Sequence, residues 1–280
     1  MPMSTETTAT RTSNGRFELR YQEAGDGPPL VLLHGSGPGV SGMSNFAANL
    51  PVFAESFRTI VPDMPGFGQS PAIEWTRPYP EHAAEALLSL LDDLGLDRAH
   101  VLGNSMGGWV ALEAAAAAPE RFDRVVLMGP GGLNADIFSP PGTEGSRRLT
   151  EFVREPSRAG MRAWVDTMVS DPALITDELL DERMAGAMAP GAIDRMRAIF
   201  ASLAKPASKP PIWARAHEIP HRTLVTWGRD DRMLPLEGAF FGTRRLPHAD
   251  LHIFSNCGHW AQVERKDDFE ALVTEFLTRP

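Results

Sequence analysis

The sequence predicts an α/β protein: a mostly parallel twisted sheet with helices on both faces and a helical segment inserted late in the chain. Up to about residue 132, short apolar runs with strand character alternate with amphipathic stretches at helical spacing, the pattern of strand–helix–strand units. From about residue 139 to 211 the helical periodicity continues without a convincing strand. Strand character then resumes at 223–227 and 250–254.

Taken in order, residues 1–14 are rich in Thr and Ser and are expected to form a mobile tail. Two antiparallel strands fit 17–21 and 30–34, separated by the turn-forming Ala24-Gly25-Asp26-Gly27-Pro28, and a third strand fits 58–61. Over 81–94, Ala84, Leu87, Leu88, Leu91 and Leu94 recur on one helical face, and Gly95 is placed to cap the helix. A buried strand at 99–103 leads into an Ala-rich helix at 106–118 closed by Pro119, and another strand follows at 125–128. A helix over 266–277 ends the pattern. The division expected is a core of 15–138 and 212–280 with a helical lid, 139–211, inserted in it. Ordinary packing helices are the plainer alternative for that insert, which is rich in Met (Met161, Met168, Met184, Met188, Met196). The lid is preferred because concave apolar pockets form where such layers meet.

Composition bounds the function. The 280 residues carry a formal net charge of −9, which argues against nonspecific binding to nucleic acid and against docking on an anionic membrane. No apolar run reaches spanning length, and no basic-then-apolar signal pattern opens the sequence. Cys257 is the only cysteine, so no intrachain disulfide is expected. A cytoplasmic enzyme is the expectation.

Gly103-Asn104-Ser105-Met106-Gly107 matches the G-x-S-x-G elbow, with a strand before it and a helix after it. A serine hydroxyl is a poor nucleophile at neutral pH. It must stand clear of the sheet, reach a base, and sit where a helix N-terminus favours developing negative charge. Chain order supports Ser105 as that nucleophile, because acids and then a histidine follow it at the ends of later strands. The base is His259, in Cys257-Gly258-His259-Trp260. Asp230 and Asp231 compete for the acid; Asp231 is preferred because it lies four residues before Pro235, which resembles the hydrolase pattern of an acid four residues before a proline. His34-Gly35-Ser36-Gly37-Pro38-Gly39 follows a strand and offers the Ser36 N–H to an oxyanion, beside the N–H of Met106. His34 is expected to organise that loop and Cys257 to be a small buried neighbour. No metal or nucleotide pattern is present, so no cofactor and no metal are expected. Together these motifs predict an α/β-hydrolase fold.

The sequence further resembles the meta-cleavage product hydrolases, carbon–carbon bond hydrolases of aromatic-ring degradation. The matching pieces are His34–Gly39 with Ser44-Asn45-Phe46, the elbow with Gly108, and Met128-Gly-Pro-Gly-Gly132. To these are added Glu144-Gly145 before Arg148-Leu149, Leu174–Leu180 before Arg183, Trp227–Arg232, and Cys257–Glu264. The resemblance implies a vinylogous 1,5-diketone substrate of the 2-hydroxy-6-oxo-hexa-2,4-dienoate type, a small aromatic-degradation intermediate, split beside its ketone. It implies that Arg183 binds the substrate carboxylate, that Asn45 and Asn104 contact the dienoate end, and that Trp260 packs beside it. It also implies a homodimer or larger homo-oligomer. Met43 stands where many members have a large aromatic residue, and Met168 where some have a phenylalanine near the leaving acyl group. Without the resemblance, Arg183 reads as a solvated helix arginine.

Two other functions fit the same motifs. A carboxylesterase shares the triad but has no use for Arg183, and a non-catalytic ligand-binding protein of this fold would turn over no activated ester. Haloalkane and epoxide chemistry is disfavoured, since those relatives generally place an aspartate where Ser105 stands.

Overall fold

The computed structural model describes residues 9–133 and 142–279. Its sheet has eight strands: β1 (Arg11–Thr12), β2 (Arg20–Ala24), β3 (Pro29–Leu33), β4 (Arg58–Pro62), β5 (Ala99–Asn104), β6 (Phe122–Met128), β7 (Arg222–Gly228) and β8 (Ala249–Phe254). They lie in the order β1-β2-β4-β3-β5-β6-β7-β8. From β4 to β8 all neighbours pair parallel, while β2 runs antiparallel to β4 and β1 antiparallel to β2.

The central strands read as continuous apolar runs because both of their faces are covered. Successive side chains alternate between those faces. Val31, Leu33, Val101, Val125, Leu127 and Trp227 pack on one side with α3 (Tyr79–Asp93) and α4 (Met106–Ala117). Leu30, Leu32, Leu102, Val126, Met128 and Phe254 pack on the other. There they meet α1 (Gly42–Phe46), α2 (Leu50–Phe53) and α12 (Lys266–Thr278). The predicted cap of α3 takes the form of a Schellman motif. Gly95 has φ 65°, its N–H donates to Asp92 O, and the N–H of Leu96 donates to Leu91 O.

Two expectations at the start of the chain need correction. The expected tail is partly structured, since Arg11–Thr12 pairs with β2 and Ser13 is buried, its hydroxyl accepting from Leu19 N at 2.9 Å. Residues 1–8 lie outside the described residues. The strand expected at 17–21 begins three residues later, and it is not the neighbour of β3, because β4 lies between them. The turn after β2 cannot close a hairpin: a Cβ on Gly25 would sit 2.1 Å from Phe57 O, and one on Gly27 2.2 Å from Ser56 O. The chain is pressed instead against the loop leading into β4, which pairs with β2 in its place.

Between β6 and β7 the described chain holds α5 (Glu144–Arg154), α6 (Arg158–Val165), α7 (Asp177–Ala187) and α8 (Ala192–Ser202). Residues 134–141, which include the expected start of the lid, lie outside the described residues. These helices have a core of their own, built on Phe152, Met161, Trp164, Val165 and Leu180, and Trp260 of the main body packs into it. Of the methionines in this segment, Met161, Met168 and Met196 are buried, Met184 is half-buried and Met188 is exposed. Short α9 (Ile212–Arg215), α10 (Glu237–Thr243) and α11 (Ala261–Glu264) complete the helices, and no helix among the described residues is long and apolar enough to cross a membrane.

Candidate active site

Ser105 sits between the end of β5 and the first residue of α4, with φ 54° and ψ −115°. A non-glycine residue in that region is strained, and the strain persists only where its surroundings hold it. Here the N–H of Ser105 donates to Met128 O at 2.9 Å, and its carbonyl accepts from Gly131 N at 2.8 Å and Trp109 N at 3.1 Å. The flanking glycines are required by space. A Cβ on Gly103 would lie 2.3 Å from Gly107 O, and one on Gly107 would lie 2.3 Å from Leu33 O and 2.6 Å from His34 O. Backbone cannot yield as a side chain can. Gly107→Ala should therefore cost about 3 kcal/mol or more of folding stability, measurable by urea titration; a cost below about 1 kcal/mol would show that the elbow relaxes easily.

His259 and Asp231 follow the sheet order. Asp231 comes just after β7, and its Oδ1 accepts from Met233 N at 2.8 Å and Leu234 N at 2.9 Å. Its Oδ2 lies 2.7 Å from His259 Nδ1, with the aspartate side chain fully buried and the histidine nearly so. Asp231 thus holds the Nδ1–H tautomer and leaves Nε2 as the basic nitrogen. Asp230 points elsewhere: its carboxylate pairs with Arg229 at 3.0 and 3.2 Å on the surface, and that pairing holds its carboxyl below the usual range. Of the two adjacent acids, only Asp231 reaches the histidine.

Ser105 and His259 line one small, partly open cavity of about 10 Å³, with Ser36, Asn45 and Asn104 among its polar walls. Trp164, Met168, Met233 and Trp260 close its apolar side. The Gly-rich loop passes close by, since a Cβ on Gly35 would lie 2.8 Å from Asn104 Oδ1 and 3.3 Å from Ser105 Cβ. His34 orders this loop, with Nε2 accepting from Met64 N at 2.9 Å and Nδ1–H donating to Gly35 O at 2.7 Å. Burial lowers its pKa and keeps it neutral. Among the described residues the N–H groups of Ser36 and Met106 donate to no internal acceptor. A larger cleft of about 340 Å³ lies beyond Val40, which lines both spaces, and runs between Gly39–Ser44 and helices α7 and α8.

Arg183, on α7, is 3% exposed. Its Nη2–H donates to Ser44 O at 3.3 Å, and its Cζ lies 5.0 Å from the centre of the Trp260 ring. Nε and Nη1 are buried with no acceptor, and no carboxylate among the described residues pairs with it. Burial lowers the guanidinium pKa to about 10, opposed by Glu182, so it stays charged at neutral pH. Asn45 Nδ2–H donates to Asn104 Oδ1 at 3.4 Å, and Asn104 Nδ2–H donates to Met128 O at 3.2 Å. Met168 is buried, and its carbonyl accepts from the His259 N–H at 2.8 Å.

Trp164, Met233 and Val40 also shape these spaces, and sequence reasoning did not single them out. Each looks like a core residue, and Trp164 gains meaning only from its edge-on contact with Trp260, 6.1 Å between ring centres. Cys257 is buried, which pushes its thiol pKa far up and leaves it unreactive. Among the described residues no three His, Cys, Asp or Glu side chains converge as a metal site.

The α/β hydrolase fold family model matches residues 28–266. A 2-hydroxy-6-oxo-6-phenylhexa-2,4-dienoate hydrolase of Burkholderia cepacia is 41% identical over 267 residues, covering 93% of this chain and 91% of the relative. A 2-hydroxy-6-oxononadienedioate/2-hydroxy-6-oxononatrienedioate hydrolase of Burkholderia vietnamiensis is 40% identical, covering 94% and 92%. Among solved structures, the phenylhexadienoate hydrolase of a Rhodococcus strain superimposes with a TM-score of 0.87 at 33% identity, covering 98% of this chain and 100% of that one. A meta-cleavage product hydrolase of Pseudomonas fluorescens gives 0.84 at 31% identity, covering 95% and 97%.

Proposed function

The chain belongs to the α/β-hydrolase fold family and, within it, to the meta-cleavage product hydrolases, and on that premise we propose that it hydrolyses a carbon–carbon bond. Its substrate is a 2-hydroxy-6-oxo-hexa-2,4-dienoate, cut beside the ketone to give 2-hydroxypentadienoate and a carboxylic acid. One observation favours this over an ester hydrolase: the buried, charged Arg183 has two unpartnered nitrogens and no carboxylate partner among the described residues. An isolated buried cation is costly. A planar guanidinium is suited to the dienoate carboxylate, and a simple ester offers it nothing.

With that carboxylate on Arg183, Asn45 and Asn104 face the dienoate end and Trp260 lies beside it. Ketonisation carries the 2-hydroxyl proton to C5, leaving an sp³ carbon next to the C6 ketone. An oxygen nucleophile, Ser105 Oγ or a water, adds to C6 as His259 Nε2 takes its proton, while Asp231 steadies the imidazolium. The N–H groups of Ser36 and Met106 receive the oxyanion. Collapse of the adduct breaks C5–C6, and the bonding pair enters the conjugated fragment as a dienolate, which is protonated to the hydroxypentadienoate. A water adduct releases the carboxylic acid directly, whereas a Ser105 adduct leaves an acyl-serine that a second water, deprotonated by His259, hydrolyses to the acid and free Ser105. A cavity of about 10 Å³ is too small for such a substrate, so it must widen, with the pliable Met168 and Met233 as its yielding walls.

We place this reaction in the cytoplasm. Coloured ring-cleavage dienoates with phenyl, alkyl and carboxylate arms at C6 should lose their visible absorbance with the enzyme. They should do so equally after exhaustive chelation and dialysis, because side chains and main-chain donors supply all the chemistry required. Turnover of nitrophenyl esters alone would make the protein an esterase. Activity lost on dialysis and restored by zinc or a nucleotide would overturn the cofactor-free mechanism.

A further inference from the structure

Glu264 closes α11 and turns back toward the loop that carries His259. Its Oε1 accepts from Gly258 N at 2.6 Å, the residue before His259. Its Oε2 accepts from Ser170 N at 2.6 Å and Asp171 N at 3.3 Å, in the segment that joins α6 to α7. That same segment supplies Met168, whose side chain walls the cavity and whose carbonyl accepts from the N–H of His259 at 2.8 Å. The two segments are pressed together, since a Cβ on Gly258 would lie 2.8 Å from Met168 O and 3.0 Å from Glu264 Oε1. Burial raises the Glu264 carboxyl pKa and the three N–H donors oppose it, so the bonds are charge-assisted while the group is ionised.

We propose that Glu264 is a positioning residue that couples the seating of segment 168–171 to the placement of His259. Every bond in this bridge is received from main chain, so the histidine loop and the wall of the cavity share one carboxylate. A movement of Met168 that widens the cavity draws on the same hydrogen bonds that hold the base. His259 is then fully seated only when the segment is closed, and the site is assembled by closure. This inference rests on His259 as the base in the proposed function.

Glu264→Gln tests it, because an amide keeps the shape but presents N–H groups to one of the two sets of N–H donors. A misplaced base should lower kcat on a coloured dienoate by about ten- to a hundred-fold. The acidic limb of kcat/KM against pH, which reports the base in the free enzyme, should move by about half a unit or more. That limb should move alike for nitrophenyl acetate, which needs the base but no dienoate pocket. Glu264→Asp keeps the charge on an arm too short to reach both segments and should behave like Glu264→Gln. Unchanged kcat and an unmoved limb in the folded variants would overturn the proposal. So would losses that track the melting temperature and vanish on cooling, since these belong to a residue that merely stabilises. If the wild type ignored dienoates yet cleaved the ester, the proposed substrate would fall, and the ester's pH limb would still decide the role of Glu264.

Discussion

Ser105→Ala and His259→Ala are each expected to lower turnover by about 10⁴- to 10⁶-fold, and the double variant by no more than either alone. The two side chains face one cavity and act as one unit: the oxygen nucleophile needs its proton removed by the imidazole, and the serine hydroxyl stands where that nucleophile is supplied or held. The acid gives the sharper test. Met233 N and Leu234 N fix an oxygen on one side of the Asp231 carboxyl, so Asp231→Asn turns its NH₂ toward His259 Nδ1. Nδ1 must then accept and Nε2 must carry the proton, which is the wrong tautomer for a base. A loss of about 10⁴-fold in kcat is expected, as for other triads treated this way. Asp230→Asn weakens a surface pair with Arg229 and keeps an oxygen for the main chain of Cys257, so it should change kcat/KM less than about two-fold. Circular dichroism would confirm that each variant is folded. Equal and mild effects from the two aspartate changes would sink the assignment of Asp231.

What was legible in the sequence was whatever is encoded locally. The elbow can be read because strand, turn glycines and helix are consecutive, and the spacing of Asp231 and His259 can be read because each ends a strand of the same sheet. The preference for Asp231 over Asp230 came from its spacing to Pro235, and its physical basis lies in the bends of the chain after β7, which send neighbouring side chains to solvent and to the core. Strand pairing near the start could not be read, because the placement of β4 between β2 and β3 depends on contacts with residues 54–57. Burial of Arg183 was hidden for a related reason. It stands among Asp177, Glu178, Asp181 and Glu182 on α7, a composition that looks solvated, and only the packing of α7 over Gly39 turns its side chain inward. A Cβ on Gly39 would lie 2.2 Å from Arg183 O, so this approach of helix to loop requires glycine.

Arg183→Ala is expected to cripple dienoate hydrolysis and to leave the hydrolysis of a small nitrophenyl ester nearly intact. A charge-assisted pair with the substrate carboxylate, formed away from water, is worth about 2–5 kcal/mol when one partner is deleted. That corresponds to roughly 30- to several-thousand-fold in kcat/KM. With a pKa of about 10, the guanidinium is charged throughout the usual assay range, so the deficit should not depend on pH between about 6 and 8. Arg183→Lys should recover part of the loss, because an ammonium keeps the charge but not the planar fork. The ester is the control for structure. Arg183 also lies against Trp260 and bonds to Ser44 O, so its removal could loosen the cavity wall without any bearing on the carboxylate. If ester and dienoate rates fell together, Arg183 would be holding Trp260 and α7 in place. If only the dienoate rate fell, Arg183 would be reading the carboxylate. If neither fell, the buried cation would have no substrate to pair with, and ester hydrolysis would become the better account of the site.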